Sequence, residues 1–501
     1  MTTVTILWIT LPFFIGFSVY LLPQLGRYLA LAVALGTAVY GFGYGFIWPE
    51  LSLQLLDRFG VLLQIDTLSG FFVLTNGLVT AAVLLYCWNK GYSAFFYTQI
   101  VVLHGSVNAT FICADFISLY VALEVISIAA FLLIAYSRTN RSIWVGLRYL
   151  FVSNTAMLFY LIGAMLVYQA NQSFAFAGLA QAPPEAIALI FLGLLTKGGI
   201  FVSGLWLPLT HSEAATPISA LLSGVVIKVG VFPLVRCALM VEAVDPIVRG
   251  FGVATALLGV SYAVFEKDSK RMLAFSTVSQ LWCVLASPVA AGFYALTHGL
   301  VKAALFLGAG NLPSRSFKML RQSSQESGTG DSQPTAIAPS VWLAMAIAGF
   351  SISGLPLLAG FGAKAWTMET LLPWQGGLMN VAVVGTAIVV AKFIFLPHGG
   401  WGAKPAVKEA GGVAVYSPSS GFWPAMAILL GGLVVANAVY PSGYTVENLV
   451  KACVKVGIGW LQYWGIVKRS PLKLPQFFEH FDQLIGVMSL MLVALFWMVM
   501  A

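Results

Sequence analysis

Apolar runs of about eighteen or more residues, separated by short polar stretches, fill almost the whole chain, and runs of that length read as membrane-spanning helices. They fall near 4–22, 28–48, 66–88, 94–113, 115–136, 145–168, 186–207, 217–240, 248–265, 271–288, 290–310, 340–372, 378–397 and 421–440. The twelfth is too long for one straight span and carries Gly354, Pro356, Gly360 and Gly362, so a broken helix is expected there. A second break is expected at Lys197-Gly198-Gly199. Residues 445–467 form an amphipathic stretch that either crosses or lies along a neighbour, and 482–500 is a final apolar run. The Ser-, Gln- and Gly-rich segment 312–339 reads as a mobile loop. The pattern therefore predicts an all-α, polytopic membrane protein of about 14–15 transmembrane helices, two of them broken.

Composition agrees. Of 501 residues, 59% are hydrophobic and 9% are charged, against about 25% charged in soluble proteins. A single soluble core is excluded. The formal charge of +8 could suggest nucleic acid, but the basic residues are scattered through short loops, which membrane topology explains better. Loops after odd-numbered spans hold thirteen Lys and Arg residues, and loops after even-numbered spans through the twelfth hold two, Arg58 and Arg249. That bias puts the amino terminus on the outer or lumenal side of a bacterial or thylakoid membrane. The tail, with Lys451, Lys455, Lys468, Arg469 and Lys473, fits this only if 445–467 crosses. The first apolar run lacks a basic leader and reads as a retained helix. Five cysteines without a CxxC pair read as packing residues. No Rossmann fingerprint, P-loop or cysteine cluster is present, so no cofactor is expected in this chain, and any redox chemistry would belong to partners.

Against this background the buried charges stand out. Lys197 and Lys228 lie roughly mid-span, where a lysine costs a few kcal/mol and usually faces a bundle interior or a water-filled cavity. Glu124 lies mid-span in Leu119-Tyr120-Val121-Ala122-Leu123-Glu124. A lone buried carboxylate is costly unless it is paired or neutral. A glutamate that approaches and leaves a buried lysine would set that lysine's protonation. His298 and Lys302 share one helix face at i, i+4, and an imidazole can relay protons between lysines. Lys364 could pair with Glu369. Lys392 approaches a span end and could snorkel. Val225-Val226-Ile227-Lys228 through Pro233 also matches Val389-Val390-Ala391-Lys392 through Pro397, a shift of 392 − 228 = 164 residues. Lys197 and Lys364 repeat at 364 − 197 = 167. Two lysine landmarks at nearly one offset suggest two five-span units, 94–240 and 248–397. Their odd span number would invert one relative to the other. They would be preceded by helices in 1–113 and followed by 398–501.

The stretch from Lys197 through Trp206-Leu207-Pro208, His211-Ser212-Glu213-Ala214 and Thr216-Pro217-Ile218-Ser219 to Lys228 resembles the antiporter-like subunits shared by Mrp-type cation/proton antiporters and respiratory complex I, including its photosynthetic version. The lysine-to-tryptophan spacing and the second lysine are kept. Val202, Gly204 and Leu209 stand where that family often has proline, histidine and aspartate, and Gln280 where relatives often have histidine. The resemblance implies a glutamate–lysine pair of Glu124 with Lys197. It also implies a relay running through Lys228, His298 and Lys302 to Lys364, which would carry protons, with Na+ or K+ as a candidate exchange ion. Other membrane subunits are the implied partners, on the complex I side first and the Mrp D-subunit side as the alternative. A stand-alone solute transporter or a scaffold subunit would be the further alternatives.

Overall fold

The computed structural model describes residues 1–56, 60–322, 336–356, 358–398, 415–416, 418–470 and 472–500. Residues 323–335 of the segment 312–339 lie outside them; the part within includes one short helix, Phe317–Gln322.

The chain enters through α1 (Thr2–Leu21), α2 (Gly26–Phe46), a hairpin of β1 (Leu51–Leu56) and β2 (Gly60–Ile65), and α3 (Thr67–Cys87). Then come α4 (Ala94–Ile112), α5 (Phe116–Ile134), α6 (Asn140–Asn171), α7 (Pro184–Lys197), α8 (Leu207–Glu213), α9 (Thr216–Leu221) and α10 (Lys228–Met240). The second half holds α11 (Asp245–Phe265), α12 (Ser269–Gln280), α13 (Trp282–Leu285), α14 (Ala291–Ala309), α15 (Phe317–Gln322), α16 (Pro339–Ser353), α17 (Ala359–Glu369) and α18 (Pro373–Ile394). It closes with α19 (Phe422–Ala436), α20 (Val446–Gly465) and α21 (Phe481–Met500). The hairpin departs from a purely helical reading; its alternating Leu-Ser-Leu-Gln-Leu has the two-residue period of a strand. A two-residue parallel pair, β3 (Ala336–Ile337) with β4 (Val415–Tyr416), is the other sheet among the described residues.

Among the described residues, twelve helical stretches are long and apolar enough to cross a membrane. The chain is an all-α-dominated, polytopic integral membrane protein. The expected spans at 94–113, 271–288 and 340–372 are also helical, as α4, α12–α13 and α16–α17, but fall short of that standard in length or apolarity. In α4 the reason is a satisfied polar cluster. Both ring nitrogens of His104 meet hydroxyls, Thr80 at 3.1 Å and Thr37 at 2.9 Å, and Asn76 donates to Asn108 at 2.7 Å.

The course of α20 settles the amphipathic stretch. Its first turn meets the end of α17, where Asn448 donates to Glu369 at 3.0 Å. A methyl group on Gly459 would stand 2.6 Å from Ala387 in the middle of α18. Its end stacks Tyr463 on Phe395, just past α18, with centroids 5.8 Å apart. The helix thus runs alongside α18 from one end to the other. The following loop then reaches the side that holds Lys267 and Arg321, where Lys468 joins them around one cavity. With α20 counted as crossing, Lys468 after it agrees with the bias of the other loops, whereas Lys451 and Lys455 in its first half line the cavity at the opposite end.

One ion pair ties the helices before the first unit to that unit's last helix. Asp66, the N-cap of α3, receives both guanidinium nitrogens of Arg236 near the end of α10, and Arg236 also donates to Ser69 at 2.8 Å. Burial alone would raise the Asp66 carboxyl, but the hydrogen bonds and charge of Arg236 outweigh it and hold the carboxyl below its ordinary value. A depressed carboxyl adds stability above the unfolded value of about 3.9 and loses it as pH falls through the folded value. Arg236→Ala is expected to destabilise the protein by about 3–5 kcal/mol, because it leaves Asp66 buried without its partner. Thermal unfolding in detergent checks this. The gap between wild type and variant should close as the pH is lowered through the carboxyl range, and an unchanged melting temperature at neutral pH would contradict the role.

Candidate functional site: a row of buried lysines without carboxylate partners

The first break is built by glycine and tryptophan. Gly199 has φ +64°, a left-handed conformation that side chains resist. A methyl group on Gly204 would stand 2.0 Å from the Gly199 carbonyl oxygen, so the chain folds back on itself there. The end of α7 leaves carbonyls without helical partners. Trp206 Nε1 donates to one of them, Thr196 O, at 2.9 Å. That bond gives a physical reason for the spacing of Lys197 and Trp206. Lys197, the last residue of α7, is 4% exposed. Its Nζ donates to Leu123 O at 3.2 Å, to Ser153 Oγ at 2.8 Å and to Ser127 Oγ. The expected pairing with Glu124 is absent from this structure. No ion pair joins them among the described residues, and Glu124 Oε1 is buried without a hydrogen-bond partner. The two serine hydroxyls stand on α5 and α6 where the carboxylate was expected.

Lys228 follows a π-helical turn, Leu222–Val226, in which wider hydrogen bonding leaves carbonyls free. Its Nζ donates to one of them, Gly224 O. A methyl group on Gly299 would stand 3.4 Å from that Nζ, which places Lys228 against α14 beside His298. His298 is fully buried and neither ring nitrogen has a partner. The contrast with His104 separates a structural histidine from an unengaged one. The His298 ring lies 6.2 Å from Tyr294, whose hydroxyl donates to Gln280; Gln280 donates in turn to Thr386 on α18 at 2.6 Å. Lys302, one turn after His298, donates to Ser276 Oγ at 2.8 Å and Leu273 O at 3.2 Å. Thus His298 and Lys302 share a helix face, as their spacing predicts, but do not bond each other.

The second break differs from the first. Here the chain turns at Gly354, φ +84°, and Lys364 follows in α17, whereas Lys197 precedes its break. Lys364 is 6% exposed, and its Nζ has no partner. It faces a cavity of about 480 Å³ lined also by Glu369, Asn380, Asn448, Lys451 and Lys455. The suggested Lys364–Glu369 pair is not formed: Glu369 accepts from Tyr440 at 2.6 Å and from Asn448. Lys392 does not snorkel. It is 5% exposed and donates to Ala263 O at 3.1 Å and Glu266 O at 2.8 Å, the carbonyls at the end of α11. It lines a separate cavity of about 410 Å³ with Glu266, Lys267, Arg321 and Lys468.

Two further buried titratable residues were not proposed as site residues from sequence. His211 is buried with both ring nitrogens unpartnered, 6.5 Å from Trp206 and 6.0 Å from Phe306 between ring centroids. Lys270 reads as a loop charge because it stands among Glu266, Lys267 and Arg271. In the fold it is 7% exposed and donates to Ala214 O at 2.9 Å and Ser219 Oγ at 3.3 Å. Ser219 donates to His211 O at 2.7 Å, so the two belong to one polar branch. The signal for His211 was its place in the motif between the lysines; for Lys270 the sequence offers none.

A many-helix bundle with broken helices and interior lysines that form no ion pair among the described residues defines the class: a polytopic integral membrane protein. The family model for NADH:quinone oxidoreductase/Mrp antiporter transmembrane subunits matches residues 113–389, more than half of the chain, and the chain belongs to that family. It is 28% identical over 337 residues to NAD(P)H-quinone oxidoreductase chain 4 1 of Synechococcus sp. strain JA-3-3Ab, covering 60% of this chain and 64% of that one. It is 30% identical over 352 residues to hydrogenase-4 component B of Escherichia coli K12, covering 62% and 51%. The chain thus spans between half and two thirds of the length of these curated relatives. Among solved structures, a chain of the Mrp complex from Dietzia sp. DQ12-45-1b shares the fold with a TM-score of 0.74 at 21% identity, covering 97% of this chain and 59% of that one.

Proposed function

We propose that this chain translocates protons along the row Glu124, Lys197, Lys228, His298, Lys302 and Lys364, as a membrane subunit of an NADH- or ferredoxin:quinone oxidoreductase-type complex. One observation carries the reading. Lys197, Lys228, Lys302 and Lys364 are all buried, and none is ion-paired to a carboxylate among the described residues. A scaffold that used lysines to lock helices would pair them, because an unpaired buried ammonium costs several kcal/mol. A relay needs amines that can hold or release a proton, spaced by groups that pass it on. Hydroxyls of Ser127, Ser153 and Ser276 and the unpartnered His298 are such groups.

In this reading Glu124 and Lys197 form a separable pair, and the structure holds them apart. Return of the carboxylate would favour the protonated lysine, and withdrawal would free its proton. Units 94–240 and 248–397 act as inverted halves, each with one broken helix, and their two routes join at His298 and Lys302. The cavities at Lys364 and Lys392 serve as mouths at opposite ends of α18. The loop bias supports an inner side for the Lys392 mouth and an outer side for the amino terminus. On the Mrp side of the family, the same row would exchange protons for Na+ or K+; that second reading rests on the family's breadth. Electron donors and redox centres belong to partner subunits.

Purification tests the assembly part. Gentle solubilisation of the tagged chain from its own membrane is expected to bring several other membrane subunits with it, identified by mass. Oxidoreductase subunits would support the first reading and antiporter subunits the second. A chain that purifies alone and transports a small solute alone would contradict both.

A further inference from the structure

We propose that the cavity beside Glu124 binds one aminophospholipid, with the phosphate on Arg148 and the ammonium on Glu124. The cavity, about 740 Å³, lies between α5, α6 and the start of α21. That volume is in the ligand-pocket range of about 300–1,000 Å³. Three polar atoms on its wall are buried without partners: Glu124 Oε1, Arg148 Nε and Asn154 Oδ1. They offer two acceptors and one donor.

Arg148 is 6% exposed, yet among the described residues no carboxylate lies within ion-pair distance of it; its bond from Nη2 goes to the backbone carbonyl of Glu479, whose carboxylate acts on it from longer range. Glu124 likewise forms no contact ion pair among the described residues, and the Lys197 amine acts on it only from longer range. Two opposite charges therefore face one space without meeting each other. A buried charge is tolerated when it is paired and hydrogen-bonded. A zwitterion that presents an anion to Arg148 and an ammonium to Glu124 pairs both at once. The ammonium also has a hydrogen to give to Asn154 Oδ1.

The remaining walls fix the ligand's other end. Leu147, Phe151 and Leu158 line the cavity and are 50%, 51% and 60% exposed on the outer face of α6. In a membrane-spanning helix that face meets hydrocarbon. A headgroup seated at Arg148 and Glu124 would leave its acyl chains along these side chains. Arg148 is held by Glu479, which belongs to the polar loop between α20 and α21 and bonds Arg271 at 2.8 Å. The phosphate end therefore lies toward the aqueous boundary. A soluble zwitterion would gain nothing from the apolar wall.

The test uses the full chain in its native assembly, solubilised gently, with bound lipid read by native mass spectrometry after exchange into phosphatidylethanolamine, phosphatidylcholine or phosphatidylglycerol. One phosphatidylethanolamine per chain is expected, retained about tenfold better than the other two, the loss typical of one charged hydrogen bond. Phosphatidylcholine has a cation but no hydrogen to donate, and phosphatidylglycerol has no cation. Glu124→Gln should bring phosphatidylethanolamine down to the phosphatidylglycerol level. Asn154→Leu, which removes the amide acceptor at nearly the same size while leaving both charges in place, should weaken retention of phosphatidylethanolamine. Arg148→Gln should weaken both phosphatidylethanolamine and phosphatidylglycerol. Free phosphoethanolamine should compete only weakly, since it lacks the chains. Lipid retention does not depend on ion coupling, so failure of the relay would leave this result intact. Equal retention of the three lipids, retention unchanged in both Glu124→Gln and Asn154→Leu, full competition by phosphoethanolamine, or a photo-crosslinker at Leu147 that captures a protein subunit in place of lipid would each overturn the assignment.

Discussion

Lys197→Ala is expected to abolish coupled ion transport, by at least about a hundredfold, the scale on which a positioned proton-transfer group contributes, while assembly stays intact. The structure explains why the two effects separate. The lysine's Nζ is held by Ser127 Oγ, Ser153 Oγ and Leu123 O. Those serines already lie 3.1 Å apart, so they can satisfy each other when the amine is gone, and Ser127 also donates to Leu123 O at 2.9 Å. The break itself depends on Gly199 and on the Trp206 indole, both of which the substitution leaves in place. What disappears is the amine nearest Glu124 on the broken helix. Proton or cation movement would be followed in vesicles, with native gels as the check on assembly. Normal transport by the alanine variant would defeat the relay.

The interior lysines were legible in the sequence because hydropathy makes them conspicuous. Lys197, Lys228, Lys302 and Lys364 each interrupt an apolar run, and each is buried. The break at Gly198-Gly199 was legible for the same kind of reason, since glycine at a mid-span position needs a local explanation. Pairing was not legible. Sequence can place Glu124 and Lys197 at similar depths, but it cannot show whether a carboxylate or two serine hydroxyls take the amine. The π-helical turn before Lys228 left no trace, because Leu222–Val226 is apolar throughout. Lys270 was hidden by its charged neighbours. Arg148, within the expected span 145–168, sits two turns inside α6 and is buried, which its charge alone does not announce. The course of α20 was open until contacts were in hand: its lysines lower its apolarity, while Asn448, Lys451 and Lys455 line the Lys364 cavity.

A second large effect is expected in side-specific accessibility. The Lys364 cavity and the Lys392 cavity share α18 as a wall. Asn380 lines the first and Lys392 the second, twelve residues or about 18 Å apart along the helix. Between them Gln280 bonds Thr386 and the neighbouring core is closed, with His298, Lys302 and Lys228 fully buried. If the row connects two half-channels, the two cavities open to opposite sides of the membrane, and each is closed to the other. Met368→Cys reports the first cavity and Ser316→Cys the second, in a background without Cys87, Cys113, Cys237, Cys283 and Cys453. Charge repulsion between protonated lysines, strong where the dielectric is low, would then link one mouth to the other through the closed centre. The deciding measurement is labelling with a membrane-impermeant thiol reagent in oriented vesicles. Ser316→Cys should label from the inner side alone and Met368→Cys from the outer side alone; labelling of both positions from the same side would contradict a proton route that crosses the protein through its buried lysines.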